Sequence, residues 1–301
     1  MGKSKIDWTD KVWNPITGCT KISPGCANCY AERMAKRQAG RNGYPADDPF
    51  NVTLHYDRLE MPMKWTKPWR VFVNSMSDLF HPDVPFDFVR AVWAQMALAR
   101  KHTFQVLTKR PARMKEFFDW MALQEFRVES YLPNVWVGVS VEDQVRADER
   151  IPLLLQTPVA IRFVSVEPML GPVDLYNGDP DTRLGGHKAT QTFIGDWWEP
   201  GDDLKGPSRH GLDWVICGGE SGPSARPMHP DWVRSLCDQC QAAEVPFFFK
   251  QWGEWAPEWL HISGPPVYRW DPSLPGVIRV GKKAAGHMLD GQEWREMPDG
   301  T

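Results

Sequence analysis

Several features are missing from this sequence, and each absence disfavours a class of protein. No apolar run reaches the roughly 18 residues that a helix needs to cross a bilayer, so no membrane span is predicted. The first ten residues, MGKSKIDWTD, contain no apolar stretch of the kind that a secretory signal requires. We therefore expect a cytoplasmic protein that makes no use of a membrane.

Two further absences concern ligands. No G-x-G-x-x-G motif follows any predicted strand, which disfavours a dinucleotide-binding fold. The formal net charge is −3, so the chain as a whole carries no excess of positive charge to attract nucleic acid. A basic surface confined to one region is compatible with that total.

The six cysteines fall into two groups of three: Cys19, Cys26 and Cys29, then Cys217, Cys237 and Cys240. Neither group has the spacing of a secreted disulfide framework, which indicates a reducing compartment. In the second group, two cysteines share one face of a predicted helix and the third ends the preceding strand. We expect buried thiols between helix and sheet, with an auxiliary metal site as the alternative.

The first cysteine group lies within GCTKISPGCANCYAERM, residues 18–34. Gly18, Pro24 and Gly25 favour a loop between the first two thiols, and a good helix former follows the third. Three thiolates that converge from such a loop can ligate one soft metal centre. Because closed zinc and iron–sulfur sites use four ligands, three would leave a coordination position for a cofactor or substrate. The alternative is three reduced thiols without a shared role.

A regular alternation of strands and helices begins near residue 70. The short apolar segments RVFV, FQVL, VWVGV, IRFV, WVIC and FFF alternate with amphipathic stretches, and a further strand is predicted near residues 12–17. This pattern is typical of a parallel sheet covered by helices. It predicts an α/β fold, a partial or complete (βα) TIM-like barrel in a single domain. The barrel would span residues 1–256, with an insertion at about 176–211, and residues 257–301 would form a C-terminal appendage.

Polar side chains follow nearly every predicted strand. The carboxyl ends of the strands of such a barrel share one rim, and that rim carries the active site. The sequence therefore predicts a polar pocket there, next to the cysteine loop. Its candidate substrate-binding residues are Asn74, Asp78, Arg110, Glu142, Glu167, Glu220 and Lys250.

A three-cysteine loop at the mouth of a partial barrel resembles the radical S-adenosylmethionine superfamily. The segments GCANCYAERM, FVNSMSDLF, FQVLTKRP, VGVSVED and VSVEPMLGP are similar, more specifically, to a phage- and prophage-associated family of three-cysteine proteins of unknown activity. The common superfamily spacing is C-x3-C-x2-C, whereas the first gap here is six residues.

The superfamily resemblance implies that Cys19, Cys26 and Cys29 hold a [4Fe–4S] cluster whose fourth iron is chelated by S-adenosylmethionine. Similarity to spore photoproduct lyase implies that three side chains at successive strand ends contact this cofactor: Ser75, Lys109 and Ser140. It also implies an electron donor, a reductase or a protein of flavodoxin or ferredoxin type. A 5′-deoxyadenosyl radical would then act on a substrate, which we expect to be a nucleobase or nucleic acid.

Two other functions are compatible with the same residues. A non-radical zinc or iron–sulfur module that works with a partner protein would need a fourth ligand, such as His55 or His81. A metal-free hydrolase or lyase would use the carboxylates of Glu142, Glu167 and Glu220 for acid–base chemistry.

Overall fold

The structure is a computed structural model that describes residues 4, 6–124, 131–176, 211–260, 267–271 and 276–298. It divides into two compact units. Unit 1 comprises Met1–Ser140 and Gln156–Arg162, and unit 2 comprises Val141–Leu155 and Phe163–Thr301. No helix within the described ranges is both long and apolar enough to cross a membrane. The predicted insertion at about 176–211 lies, except for its two end residues, outside the described residues.

The described residues of unit 1 form these strands and α-helices: β1 (Lys11–Trp13), β2 (Ile16–Thr17), α1 (Tyr30–Arg37), β3 (Thr53–Leu54), β4 (Arg70–Val73), α2 (Phe86–Leu98), β5 (Thr103–Thr108), α3 (Pro111–Ala122) and β6 (Val135–Ser140). Strands β1, β4, β5 and β6 lie side by side in that order and are parallel. In this register Val71 lies opposite Phe104, and Phe104 opposite Val135. Strands β2 and β3 form a separate antiparallel pair.

The helices of unit 1 bury the apolar faces that their periodicity predicts. In α2 the buried residues include Phe88, Val92 and Met96, which recur every four positions and so lie on one face. Helix α3 begins at Pro111, where the fixed φ of proline suits the first helical turn and its missing N–H is not needed. Full burial of each large apolar side chain of these helices contributes roughly 1.5–3 kcal/mol.

Unit 2 contains α4 (Gln144–Leu155), β7 (Ile161–Val166), β8 (Trp214–Gly218), α5 (Pro230–Ala242), β9 (Phe247–Gln251), β10 (Trp255–Pro257), β11 (Val267–Tyr268), β12 (Val277–Arg279), α6 (Lys282–Ala285), β13 (Met288–Leu289) and β14 (Gln292–Glu293). The division between the units falls within β7, after Arg162. Strands β7, β8 and β9 are parallel neighbours in that order. Strands β10, β12 and β11 form a small antiparallel sheet.

The residues near the carboxyl end of the chain cover the edge of β9 that does not face β8. The backbone N–H of Phe249 donates to the carbonyl of Trp294 at 3.0 Å, and that of Glu296 donates to Phe247 at 3.2 Å. The indole of Trp214, in β8, also donates to the carbonyl of Glu296 at 2.9 Å. These contacts give β9 a backbone partner on each side. The predicted domain boundary at residue 257 stays a prediction.

The predicted α/β class with parallel strands is confirmed within each unit. The predicted first strand near residues 12–17 is instead two short strands, β1 and β2. Gln144–Leu155 forms one helix with Pro152 inside it, so this proline does not end the helix. Ile151 and Leu154 are fully buried beside this proline, and their packing offsets the roughly 3 kcal/mol that an internal proline costs.

Candidate metal and cofactor site

The cysteine loop begins at Gly18, directly after β2. Gly18 has φ +86°, and a Cβ there would lie 2.1 Å from the carbonyl oxygen of Asn51, so only glycine fits. Its N–H donates to the carbonyl of Met76, and the N–H of Cys19 donates to the carbonyl of Phe50, both at 3.0 Å. The segment after β4 and the segment before β3 therefore fix the start of the loop.

The third cysteine is positioned by helix α1. Cys29 is the N-cap residue of this helix. Ala35, on the inner face of α1, is fully buried and packs in a small cluster with Tyr44 and Met76. Because Met76 follows β4, the cluster holds α1, and with it Cys29, close to the end of that strand.

Cys19 forms two hydrogen bonds through its sulfur. Its sulfur accepts a hydrogen bond from Nη1 of Arg110 at 3.4 Å and donates to the carbonyl of Thr20 at 3.4 Å. Burial raises the pKa of this thiol to about 11; the negative charge of Asp78 adds to the rise, and Arg110 opposes it. Cys19 is therefore a neutral thiol at pH 7 when no metal is bound.

A buried ion pair at the end of β5 connects the cysteine loop to the strands. Nη1 of Arg110 also donates to Oδ2 of Asp78 at 3.1 Å, while Nη2 donates to both the carbonyl and the hydroxyl of Thr20 at 3.0 Å. Asp78 in turn accepts from the hydroxyl of Thr108 at 2.7 Å and from the backbone N–H of Lys109 at 3.0 Å. Arg110 thus links loop and strand end through a single, almost fully buried side chain.

The chemistry of the three cysteines fits a soft metal, since all are free, half-buried and carried by one loop. Their present positions do not form a complete ligand set: within the described ranges, no three His, Cys, Asp or Glu side chains are arranged to hold a metal ion. The metal site therefore stays a prediction that rests on the identity and shared loop of the donors.

The two histidines proposed as a fourth ligand are both engaged. Nε2 of His55 lies 2.8 Å from the hydroxyl of Thr17, and Nε2 of His81 lies 2.8 Å from the hydroxyl of Thr20. Nδ1 of His81 also accepts from the backbone N–H of Asp83 at 3.2 Å. Burial lowers the pKa of both imidazoles, which keeps them neutral at pH 7. To ligate a metal, His81 would have to give up an existing hydrogen bond.

The three residues predicted to contact S-adenosylmethionine lie at the ends of β4, β5 and β6, all in unit 1. The hydroxyl of Ser75 donates to Oδ1 of Asn14 at 3.2 Å. Lys109 is half-buried and Ser140 is buried. Each residue therefore occupies the strand end at which the resemblance expects it.

Asn74, a predicted pocket residue, has an unusual conformation. Its φ is +60°, in the left-handed region that asparagine tolerates better than most residues. Its side-chain oxygen accepts from the N–H of Ile16 at 3.3 Å, which leaves its amide nitrogen buried without a hydrogen-bond partner among the described residues. Asn74 therefore holds β2 near the end of β4.

The predicted pocket carboxylates of unit 2 all form ion pairs: Glu142 with Arg150 at 3.0 Å, Glu167 with Lys250 at 2.6 Å, and Glu220 with Arg226 at 2.6 Å. A metal-free hydrolase or lyase would have to use carboxylates that are already held in ion pairs, so this arrangement gives no support to that alternative. Sequence reasoning missed both arginine partners, because nothing in the spacing of Arg150 or Arg226 marks it as the partner of a particular acid.

The GGE segment after β8 makes a tight approach to the loop after β9. A Cβ on Gly219 would lie 1.9 Å from the carbonyl oxygen of Trp252, so the two backbones touch at this point. The N–H of Glu254 donates to the carbonyl of Glu220 at 3.0 Å, and the N–H of Gly222 donates to the carboxylate of Glu254 at 2.9 Å. Gly219 therefore serves loop packing.

The second cysteine group is buried between β8 and α5, as its sequence pattern predicts. Cys217, Cys237 and Cys240 are at most 4% exposed, and the sulfur of Cys217 lies 3.7 Å from that of Met169. Burial raises the pKa of all three thiols, that of Cys237 to about 12. They are neutral, apolar packing groups in this structure.

One of three comparisons with known proteins found a match. A family model described as "Protein of unknown function (DUF5131)" matches residues 3–298. No curated protein and no solved structure matches the sequence.

Proposed function

We propose that this chain, which belongs to the DUF5131 family of proteins of unknown function, is an iron–sulfur radical S-adenosylmethionine enzyme. Cys19, Cys26 and Cys29 would hold the [4Fe–4S] cluster. When bound, the cluster and S-adenosylmethionine would supply a 5′-deoxyadenosyl radical able to take a hydrogen atom from a substrate.

The observation that carries this proposal is the hydrogen bond from Arg110 to the sulfur of Cys19. Residue 110 follows β5, so the contact holds the cysteine loop at the carboxyl ends of the parallel strands of unit 1. Active sites of βα proteins lie at that end of the sheet. A hydrogen bond from a buried ion pair to Cys19 at this end of the strands supports a site there that uses the three cysteines of the loop.

The chain's own residues would bind and orient the cofactor. The ammonium of Lys109 would offset the cofactor's carboxylate, and the hydroxyls of Ser75 and Ser140 would pair with its polar groups. Asp78 and Arg110, each less than 10% exposed, would exclude water from the inner side of the loop.

The remaining parts of the proposal concern fold and setting. We propose that the parallel strands form a partial (βα) TIM-like barrel and that the protein works in the cytoplasm, where a reductase, flavodoxin or ferredoxin would supply the electron. Six free cysteines suit such a reducing compartment. The substrate would be a nucleobase or nucleic acid.

Anaerobic reconstitution with iron and sulfide tests the proposal. We expect a brown protein with about four irons per chain that, with dithionite, converts S-adenosylmethionine to 5′-deoxyadenosine. Cys29→Ala should lose both the iron and this activity, while the control Cys237→Ala, from the buried group, should keep both.

A colourless product that makes no 5′-deoxyadenosine would overturn the proposal. Stoichiometric zinc, lost in Cys29→Ala together with the folded state, would instead identify the zinc module.

A further inference from the structure

The cysteine loop and helix α1 carry a concentration of positive charge that the whole chain does not. Five basic residues and one acidic residue lie between Lys21 and Arg41, in a chain whose formal net charge is −3. Such a run can be an ordinary solvated surface, so its geometry and ion pairing decide whether it can bind a ligand.

The geometry of α1 divides its residues into two faces. The fully buried Ala35 marks the inner face. At 100° per residue, Tyr30, Arg33 and Arg37 lie on the opposite side of the helix. Tyr30 is 58% exposed, and Arg37 is exposed on the same side. An exposed ring therefore lies among cations on the outer face.

The ion pairs around α1 leave net positive charge on this surface. Its one carboxylate, Glu32, accepts from both Lys21 at 2.9 Å and Lys36 at 2.7 Å. Nη1 of Arg37 donates to the sulfur of Met34, at 3.9 Å. Neither Arg37 nor Arg41 forms an ion pair with any part of the chain that the structure describes. Both guanidinium groups are available to an external anion.

The basic residues predicted to receive a nucleic acid are less suitable. Arg110 is almost fully buried and donates to Asp78, Cys19 and Thr20. Lys250 is paired with Glu167 at 2.6 Å. Binding a phosphate at either residue would require breaking an internal ion pair, so neither can bind the backbone of a substrate as readily as α1.

We propose that one surface, the basic face, binds single-stranded nucleic acid: Lys21, Tyr30, Arg33, Lys36, Arg37 and Arg41. Single-strand binding proteins combine cations that track the phosphates with exposed aromatic rings on which bases stack, and the basic face offers both. An acidic protein would match the charges, but the exposed ring of Tyr30 favours unpaired bases. The inference rests on the proposed function and deepens it, because Tyr30 directly follows Cys29 and a stacked base would lie beside the cysteine loop.

Fluorescence anisotropy with labelled single strands of about 20 nucleotides, one of DNA and one of RNA, tests the basic face. Dissociation constants would be measured over a series of salt concentrations, on the protein as purified and after reconstitution. Arg37→Gln with Arg41→Gln should weaken binding and lower the magnitude of the salt slope by about 1.4, since each lost single-strand phosphate contact lowers it by about 0.7. Tyr30→Ala should weaken binding roughly fivefold or more, whereas Tyr30→Phe should bind like the unchanged protein because its ring can still stack.

Lys282→Gln with Lys283→Gln is the matched control, because it removes the same charge from an exposed helix of unit 2, α6. This variant should keep the affinity and salt slope of the unchanged protein. Thermal melting followed by circular dichroism would show that every variant is folded. The inference is overturned if the unchanged protein binds neither strand at low salt, or if the control loses as much affinity as the α1 variant. It is also overturned if a labelled acidic protein binds in the same assay and neither strand does.

The anisotropy assay needs neither reductant nor S-adenosylmethionine, so the two proposals can fail separately. A protein that binds strands through α1 but makes no 5′-deoxyadenosine would refute the radical chemistry alone. A protein that makes 5′-deoxyadenosine but binds no strand would refute the basic face alone.

Discussion

Gly18 determines the position at which the cysteine loop can begin. Its left-handed φ of +86° and the carbonyl of Asn51 beside it are separate constraints on the same residue. A side chain would be strained by the first and would collide with the second. The loop that carries Cys19 therefore depends on the absence of a single methyl group.

Gly18→Ala separates these two constraints when it is compared with Gly291→Ala. Gly291 has a similar φ of +82° but no neighbour within 4 Å of its missing Cβ. Gly291→Ala should cost about 1–2 kcal/mol of stability, the ordinary penalty for a left-handed residue. Gly18→Ala should cost clearly more, because the Asn51 segment must also move. Denaturant unfolding measures both, and equal losses would show that the contact with Asn51 is unimportant.

Helix α4 contains one partner of a fully buried ion pair. Arg150 lies on this helix and pairs at 3.0 Å with Glu142, the residue two positions before the helix begins. Both side chains are at most 2% exposed. Breaking one partner of such a pair leaves an uncompensated buried charge, whereas removing both leaves none.

Glu142→Gln should therefore destabilise the protein by about 3–5 kcal/mol. The double variant with Glu142→Leu and Arg150→Met should be destabilised less than the single one, because no charge stays buried. Melting temperatures of the three proteins would be compared under one set of conditions. A single variant as stable as the unchanged protein, or a double variant less stable than the single, would contradict this account.

At the scale of the whole chain, the last residues complete the sheet of unit 2. Their backbone pairs with β9, and the carbonyl of Glu296 accepts from the indole of Trp214. An uncovered strand edge is a site for aggregation, so this pairing protects solubility as well as stability.

Truncation after Gly286 should therefore give a protein that is insoluble or forms large oligomers. It removes Trp294 and Glu296 and exposes the edge of β9. Truncation after Pro298 is the control, since it keeps both residues. Soluble yield and size-exclusion chromatography measure the effect. A soluble monomer with an unchanged melting temperature after the longer truncation would mean that β9 does not need this cover.

Much of the fold could be predicted from local pattern alone. The strand from Arg70 to Val73 coincides with the apolar segment RVFV, and α3 begins at Pro111, a residue type that favours the first helical turn. Apolar periodicity and turn residues act over a few positions, so they can be read without knowing the fold. Pro152 shows the limit of such reading, because local rules disfavour a proline inside a helix, yet Gln144–Leu155 is one helix with Ile151 and Leu154 buried.

The sequence by itself determined the α/β class, the three cysteines on one loop and the concentration of positive charge from Lys21 to Arg41. Only the tertiary structure decided which groups meet: Arg110 reaches the sulfur of Cys19 across 91 positions, and Lys250 reaches Glu167 across 83. The physical reason is that an ion pair or hydrogen bond depends on distance in space, and a chain brings remote residues together only after its strands and helices have packed.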